Sequence, residues 1–277
     1  MRRSSIWSNS RSKPPYGSVA LDLSHPLSNS LIYGLLFNER TQSLTQSFSF
    51  TNPTHKAVVG NGSPTVGADG LVFSNDYLDV TNASGTAVQW GTLMGASAKS
   101  LVAGVTPTGS PSAAGAAYLL GQIIGDTGQY MGMFRGNRNA EGDAFYIYNW
   151  DGTEDVVRIP FTLGRMHTLA YSHDGTTLLA SLNGGSAGST ASGATQVTTG
   201  TLRIGKQSAG ANPFVGTVHF LYMFNRALPQ ASLNALTDEP YAFLRPVIRK
   251  RYFVPTTATA ATTVKKAPSL MLTGVGV

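Results

Sequence analysis

About a dozen short strand-like runs follow one another through the middle of this chain. They occupy residues 70–74, 77–81, 101–106, 117–124, 130–134, 144–149, 156–161, 166–172, 177–182, 202–205 and 214–224. Between them lie turn signals such as Asn149-Trp150-Asp151-Gly152 and Ser172-His173-Asp174-Gly175, whose Asp-Gly pairs suit tight hairpins. So long a series of short strands predicts one all-β domain, an antiparallel β-sandwich or jelly roll. Helical periodicity surfaces at 229–237, where Pro229 suits a first turn and Leu233 and Leu236 share a face. Composition agrees: the 277 residues include 31 glycines, and only 12% are charged. With no cysteine, disulfides, thiolate catalysis and Cys-ligated zinc are excluded.

The run at 214–224 is the most informative. Regular alternation would set Phe214, Val218, Phe220 and Tyr222 on one face and Thr217, His219, Leu221 and Met223 on the other. Neither face is strongly polar, so the strand is expected to be central and covered on both sides. Asn225-Arg226-Ala227 then turns the chain, and the short helix is expected to drop Leu233 and Leu236 over an open end of the sandwich. Gly184-Gly185-Ser186 and its surroundings read as a long flexible loop.

Charge divides the chain differently. Arg2, Arg3, Arg11 and Lys13 precede Tyr16 without an acid, and Arg245, Arg249, Lys250, Arg251, Lys265 and Lys266 follow Tyr241 without one. Half of the 20 basic residues thus sit in the tails, and the other half face all 14 acids, leaving the body at −4. Three regions follow: a basic arm at 1–16, a sandwich domain at 17–240 and a basic, Thr/Ala-rich arm at 241–277. Residues 245–252, Arg-Pro-Val-Ile-Arg-Lys-Arg-Tyr, could hold phosphates with Tyr252 stacking on a base. Without a recognised nucleic-acid module, pairing with neighbouring protein surfaces is the better expectation, the apolar alternation suiting an added strand. Arg2, Arg3, Arg11, Lys13, Arg245, Arg249, Lys250, Arg251, Tyr252, Lys265 and Lys266 are therefore the candidate partner-binding residues.

The order of the pieces resembles the laminin-G-like, concanavalin-A-like jelly-roll superfamily over roughly residues 65–240. Gly70-Leu71-Val72-Phe73-Ser74 with Tyr77-Leu78-Asp79-Val80 is similar to its early strand pair, and Leu101-Val102-Ala103-Gly104-Val105 to the next strand. Arg165-Met166-His167-Thr168-Leu169-Ala170 before Asp174-Gly175 looks like its hairpin, with Met166 where tryptophan is usual. Leu202-Arg203-Ile204-Gly205 and the closing Phe214–Leu236 segment match its last elements, although Val218-His219-Phe220 stands where an acidic pair is common. Leu21-Asp22-Leu23-Ser24-His25-Pro26-Leu27 with Leu36-Phe37-Asn38-Glu39, and the exit Glu239-Pro240-Tyr241, look like the flanks of such domains in proteins of tailed bacteriophages and prophages. That resemblance implies a non-enzymatic virion subunit, a capsid decoration, minor capsid or tail-associated protein whose arms dock on other virion proteins or copies of itself. The alternative it implies is a lectin-like adhesion module for host or mucus glycans.

Other chemistries leave thin traces. Glu141-Gly142-Asp143-Ala144-Phe145-Tyr146 begins like a glucanase carboxylate series but has a tyrosine where the acid/base should stand. Asp126, Asp143, Asp151, Glu154, Asp155 and Asp174 lie near turns without forming a dense calcium-ligand series, so no cofactor is expected and a structural calcium ion is left open. His25, His55, His167, His173 and His219 are scattered, none with a partner at metal spacing. Tyr146, Tyr148 and Trp150, alternating along one run, are the candidates for stacking on a sugar ring. No signal peptide is expected, because Ser4-Ser5-Ile6-Trp7-Ser8 follows Met1-Arg2-Arg3 where an apolar stretch is needed. No run is long enough for a membrane helix. The expectation is a protein made in the host cytoplasm and carried in the virion.

Overall fold

Valine, isoleucine, tyrosine and phenylalanine alternate through the middle of the chain, and they fold as pleated strands. The computed structural model describes residues 11–14, 19–37, 46–48, 56–62, 64–67, 69–74, 76–82, 84–89, 98–109, 118–126, 131–138, 142–195, 200–206 and 213–246. Two units are distinguished, Met1–Val247 and Ile248–Val277, and the described residues all lie in the first. The strands are β1 (Val19–Leu21), β2 (Leu31–Leu35), β3 (Gln46–Phe48), β4 (Lys56–Asn61), β5 (Thr65–Val66), β6 (Leu71–Phe73), β7 (Tyr77–Thr81), β8 (Lys99–Pro107) and β9 (Tyr118–Asp126). Then come β10 (Met131–Arg138), β11 (Asp143–Trp150), β12 (Glu154–Pro160), β13 (His167–His173), β14 (Thr177–Leu182), β15 (Gly185–Ala191), β16 (Leu202–Ile204) and β17 (Gly216–Phe224). Helix α1 (Gln230–Asp238) and strand β18 (Leu244–Pro246) end the described chain.

These strands make an antiparallel sandwich. The front sheet runs β12-β11-β10-β9-β16-β7-β4-β3, and the back sheet runs β15-β14-β13-β8-β17-β6-β5, with β2 also pairing with β17. Between them lies the main core. Leu78, Ile123, Met133, Phe145 and Ile147 of the front sheet meet Leu101, Val105, Leu169, Tyr171 and Met223 of the back sheet.

Strand β17 is central and buried, as its sequence implies, but it does not alternate regularly. Its register against β8 slips between Val218 and Phe220, a β-bulge at His219. Before the bulge Phe214 and Val218 face the main core; after it Leu221 and Met223 do. Phe220, Tyr222 and Phe224 therefore face outward, opposite to the regular expectation for Phe220 and Tyr222. There they build a second core with Leu233, Leu236, Tyr241 and Phe243. Phe220 and Tyr222 stack with centroids 4.9 Å apart, and Phe243 meets Tyr222 edge-on at 4.9 Å.

Helix α1 thus lies on the outer face of the back sheet and not over an open end of the sandwich. Ser181 Oγ donates to Asn234 Oδ1 at 2.9 Å and Gly184 N–H to Thr237 Oγ1 at 2.9 Å, pinning the helix to the β14–β15 turn. The expected loop at 184–186 is that turn and the start of edge strand β15, whose glycines, serines and alanines carry no legible alternation. The body also runs past residue 240: Tyr241 and Phe243 are buried, and β18 pairs with β1 as a ribbon.

Candidate functional site

The outer face of the front sheet differs from the covered back face. Among the described residues no helix or ribbon packs across it, and its apolar content is a small cluster of Phe134, Ala144 and Tyr146 with Tyr148 and Val156 against it. Strand β11 sends Phe145, Ile147 and Asn149 inward, so Tyr146, Tyr148 and Trp150 share the outer face. Their exposure is unequal. Tyr146 is buried at 2%, packed with Phe134 and Ala144, which corrects the expectation of three ready stacking platforms. Tyr148 and Trp150 are half-buried, and Tyr148 meets Phe134 edge-on at 6.0 Å.

Strand registers align one row across this face: Val156, Tyr148, Gly132, Gly125, Arg203, Asp79 and Val58. Two glycines thus separate the Tyr148 ring from the Arg203 guanidinium, a span of three strand spacings, roughly 14 Å. The β9–β10 bulge forces the first of them: a Cβ on Gly132 would stand 2.5 Å from the Ile124 carbonyl oxygen. On the far side Arg203 lies 3.8 Å over the Tyr77 ring, and its Nε donates to Asp79 Oδ1 at 2.7 Å. Gly132 and Gly125 are themselves buried, and Phe134 Cε2 would stand 3.0 Å from a Cβ on Gly132, so the Phe134 ring lies against the row between the Tyr148 ring and the Arg203 guanidinium. Tyr148 offers part of a ring face at one end of this row, and Arg203 with Asp79 a guanidinium and a carboxylate at the other. Sequence reasoning found Tyr148 and Trp150 but not Arg203, Asp79 or Tyr77, because their alignment depends on registers between distant strands.

The other candidates have structural duties. Glu141 lies outside the described residues, and Asp143 is engaged inward: Arg135 Nη2, on a side chain 1% exposed, donates to its Oδ2 at 2.6 Å. Asp151 and Asp174 serve as turn acceptors, from Thr153 N–H at 2.9 Å and Thr176 N–H at 2.8 Å. Those N–H and hydroxyl donors hold both carboxyls below their usual range. Among the described residues no group of three or more His, Asp or Glu is placed to hold a metal ion. His219 sits at the bulge between Thr106 Oγ1 and the Asp69 carbonyl, each 2.8 Å from a ring nitrogen, and burial lowers its pKa. His167 Nε2 donates to Thr162 O at 2.8 Å. Lys99, fully buried beside His173, donates to Thr195 Oγ1 at 2.6 Å, and Thr195 donates to Asn149 Oδ1. Burial pushes the Lys99 amine down to about 7.

Of the candidate partner-binding residues among those described, Arg11 and Lys13 hydrogen-bond within the chain itself. Arg11 Nη2 donates to Asp238 Oδ2 at 2.5 Å, and Lys13 Nζ donates to Phe37 O at 2.9 Å and Asp69 O at 2.5 Å. Residues 11–14 therefore lie on the body instead of extending from it, with Pro14 buried. Arg245 is exposed in β18, opposite Ala20 of β1. Arg2, Arg3, Arg249, Lys250, Arg251, Tyr252, Lys265 and Lys266 lie outside the described residues.

Comparison with known proteins bears on the fold. The family model described as "Concanavalin A-like lectin/glucanases superfamily" matches residues 74–234. No curated protein matches the chain. Among solved structures it is similar to domain 4 of AbnA, an extracellular arabinanase of Geobacillus stearothermophilus in complex with arabinotriose. That match has 14% identity and a TM-score of 0.56, covering 75% of this chain and 98% of that one. Trypanosoma rangeli sialidase matches at 15% identity and TM-score 0.53, covering 78% of this chain and 33% of that one. The binding domain of botulinum neurotoxin serotype D matches at 10% identity and TM-score 0.53, covering 77% and 53%. At these identities the likeness shows the fold.

Proposed function

The chain belongs to the concanavalin A-like lectin/glucanases superfamily, and we propose that it works as a lectin-like, carbohydrate-binding module with its ligand across the outer face of the front sheet. The observation that carries this reading is the aligned row from Tyr148 over Gly132 and Gly125 to Arg203. Tyr148 and Trp150 would stack on a sugar ring while Arg203 and Asp79 hydrogen-bond its hydroxyls. The arabinotriose complex of one solved relative of the same fold lends support. Binding without turnover is the form proposed. Hydrolysis needs a carboxylate pair flanking the scissile bond, whereas Asp79 is tied to Arg203, Asp143 to Arg135, and a tyrosine stands at 146. The test is a broad glycan array with the purified chain, followed by titration of the best ligand against Trp150→Ala and Tyr148→Ala. Loss of about tenfold or more in affinity in both folded variants supports the reading. Silence of the wild-type chain on the array overturns it.

A second reading concerns where the module is carried, and one observation favours it: ten of the 20 basic residues lie in two acid-free tails flanking a body of net charge −4. Such arms suit multivalent docking in a large assembly, a virion of the tailed-phage kind, with each arm adding strongly once the body is placed. Removing residues 254–277 should leave a folded body that no longer joins particles; full particle occupancy after that deletion would sink this reading.

A further inference from the structure

Past β15 the chain leaves its sheet at the end of the sandwich where β8 begins and β11 and β13 finish. Its next four residues, Ser192-Gly193-Ala194-Thr195, differ in depth: Ser192 and Thr195 are buried, whereas Ala194 is exposed. Side chains from three strand ends hold them. Asn149 Nδ2, from β11, donates to Ser192 Oγ at 2.7 Å and to the Gly193 carbonyl at 3.1 Å. Just beyond it, Asp151 Oδ2 accepts the Gly193 N–H at 2.6 Å, and a Cβ at 193 would collide with that carboxylate. His173 Nε2, from β13, donates to the Ser192 carbonyl at 3.3 Å. Lys99 Nζ, where β8 begins, donates to Thr195 Oγ1 at 2.6 Å, and Thr195 donates in turn to Asn149 Oδ1. One short segment thus ties the two sheets together over a fully buried amine. Among the described residues, the titratable groups around this end are His173, opposite Lys99 in register, Asp174 after it, Asp155 opposite Asn149, and Asp151. Asp151 is taken up by Thr153 and Gly193, and Asp174 by Thr176 and Thr177. On Lys99 it is burial that acts, driving the amine down to about 7.

We propose that residues 192–195 form a strap that opens and closes with the protonation of Lys99, shut over a neutral amine and released by a charged one. Shutting the strap strips water from the amine, which costs most when the amine carries a charge. Releasing Thr195 lets water reach the ammonium, at the loss of a few hydrogen bonds that water can replace. The segment is suited to this, because serine, glycine, alanine and threonine give it little apolar surface to hold it down. The direction is fixed by the two states of the amine, about 7 under the strap and its ordinary 10.5 in water. Opening grows as pH falls between those values and levels off below about 7, where both states are charged. Opening also frees Asn149 and Asp151, which flank Trp150, so the charge of one interior amine reaches the outer face of the front sheet. The inference stands apart from the glycan reading, since it concerns only the chain's own contacts.

Native-state hydrogen exchange on the full-length chain tests this. It is read at the Ser192 amide, bonded to Thr176 O at 2.9 Å, and at the Gly193 amide, with the β17 amides as reference. Corrected for intrinsic exchange rates, opening at 192 and 193 should grow about tenfold from about pH 9 to about pH 8 and level off below about 7. It should also stay more frequent than opening at β17. Lys99→Met should make strap opening the same at every pH, whereas His173→Gln should leave the rise in place, which separates the amine from the imidazole. Three results would overturn the proposal. Opening at 192 and 193 could be independent of pH in the wild-type chain, or the rise could persist in Lys99→Met. Strap and β17 amides could also open together, which would make the event global unfolding. The first and third are read on the wild-type chain, so they decide the matter even where a variant does not fold. No glycan enters any of these measurements, so the outcome is independent of whether the front sheet binds one.

Discussion

The two outer faces of this sandwich are made from the same kind of strand and finished in opposite ways. On the back sheet, the bulge at His219 turns Phe220, Tyr222 and Phe224 outward, and α1, Tyr241 and Phe243 cover them. On the front sheet, Tyr148 and Trp150 also point outward, but among the described residues they keep part of their surface, and Tyr148 stands beside the buried Gly132. Outward aromatic residues are therefore not one class. Those that the chain covers hold the fold together, and those left part-exposed are the ones the proposed glycan reading draws on.

The sharpest way to break this contrast is to truncate one ring on each face. Tyr222→Ala removes a fully buried side chain from the second core and should cost about 3–5 kcal/mol in denaturant unfolding. Tyr148→Ala should cost no more than about 1–2 kcal/mol while abolishing most glycan binding. Equal losses of stability from the two would erase the distinction. Next in size is the buried amine behind the front sheet. A lysine whose folded pKa is depressed binds fewer protons than in the unfolded chain between about 7 and its ordinary 10.5. Stability should therefore rise with pH across that window and be lowest below it. Lys99→Met should flatten the profile and stabilise the protein at neutral pH, on the order of 1–3 kcal/mol. Gly132→Ala forces a methyl against the Ile124 carbonyl and should cost roughly 1–2 kcal/mol, with ligand affinity falling by more than stability alone explains. The smallest change expected is for Arg203→Met, whose ion pair with Asp79 is partly exposed: stability within about 1 kcal/mol of wild type, with ligand affinity reduced.

Much of the fold was legible because buried strands and Asp-Gly turns leave strong local marks, and the runs at 77–81, 144–149 and 177–182 fall inside or on the observed strands. The errors share a cause. At His219 the neighbours on both sides are apolar, so the alternation reads equally well in either register and the bulge is invisible. Strand β15 is made of residues too small to display a face. The short strands β1 and β18 owe their pairing to each other, across most of the chain. The candidate site was half legible for the same reason: Tyr148 and Trp150 are neighbours along one strand, whereas Arg203 joins them only through the registers of β11, β10, β9 and β16. Arg11 and Lys13 read as free-arm charges because their acceptors are a helix end and two carbonyls, neither of which has a sequence signature.

The bulge at His219 also bears on how this chain can change. One extra residue lets a single strand serve the main core in its first half and, in its second, supply Phe220, Tyr222 and Phe224 to the outer one. Deleting that residue would act on the fold as a frameshift acts on a reading frame. Every downstream side chain of the strand would trade inside for outside at once, and both cores would lose their partners together. Substitution at 219 is a local edit; insertion or deletion there rewrites the rest of the sentence.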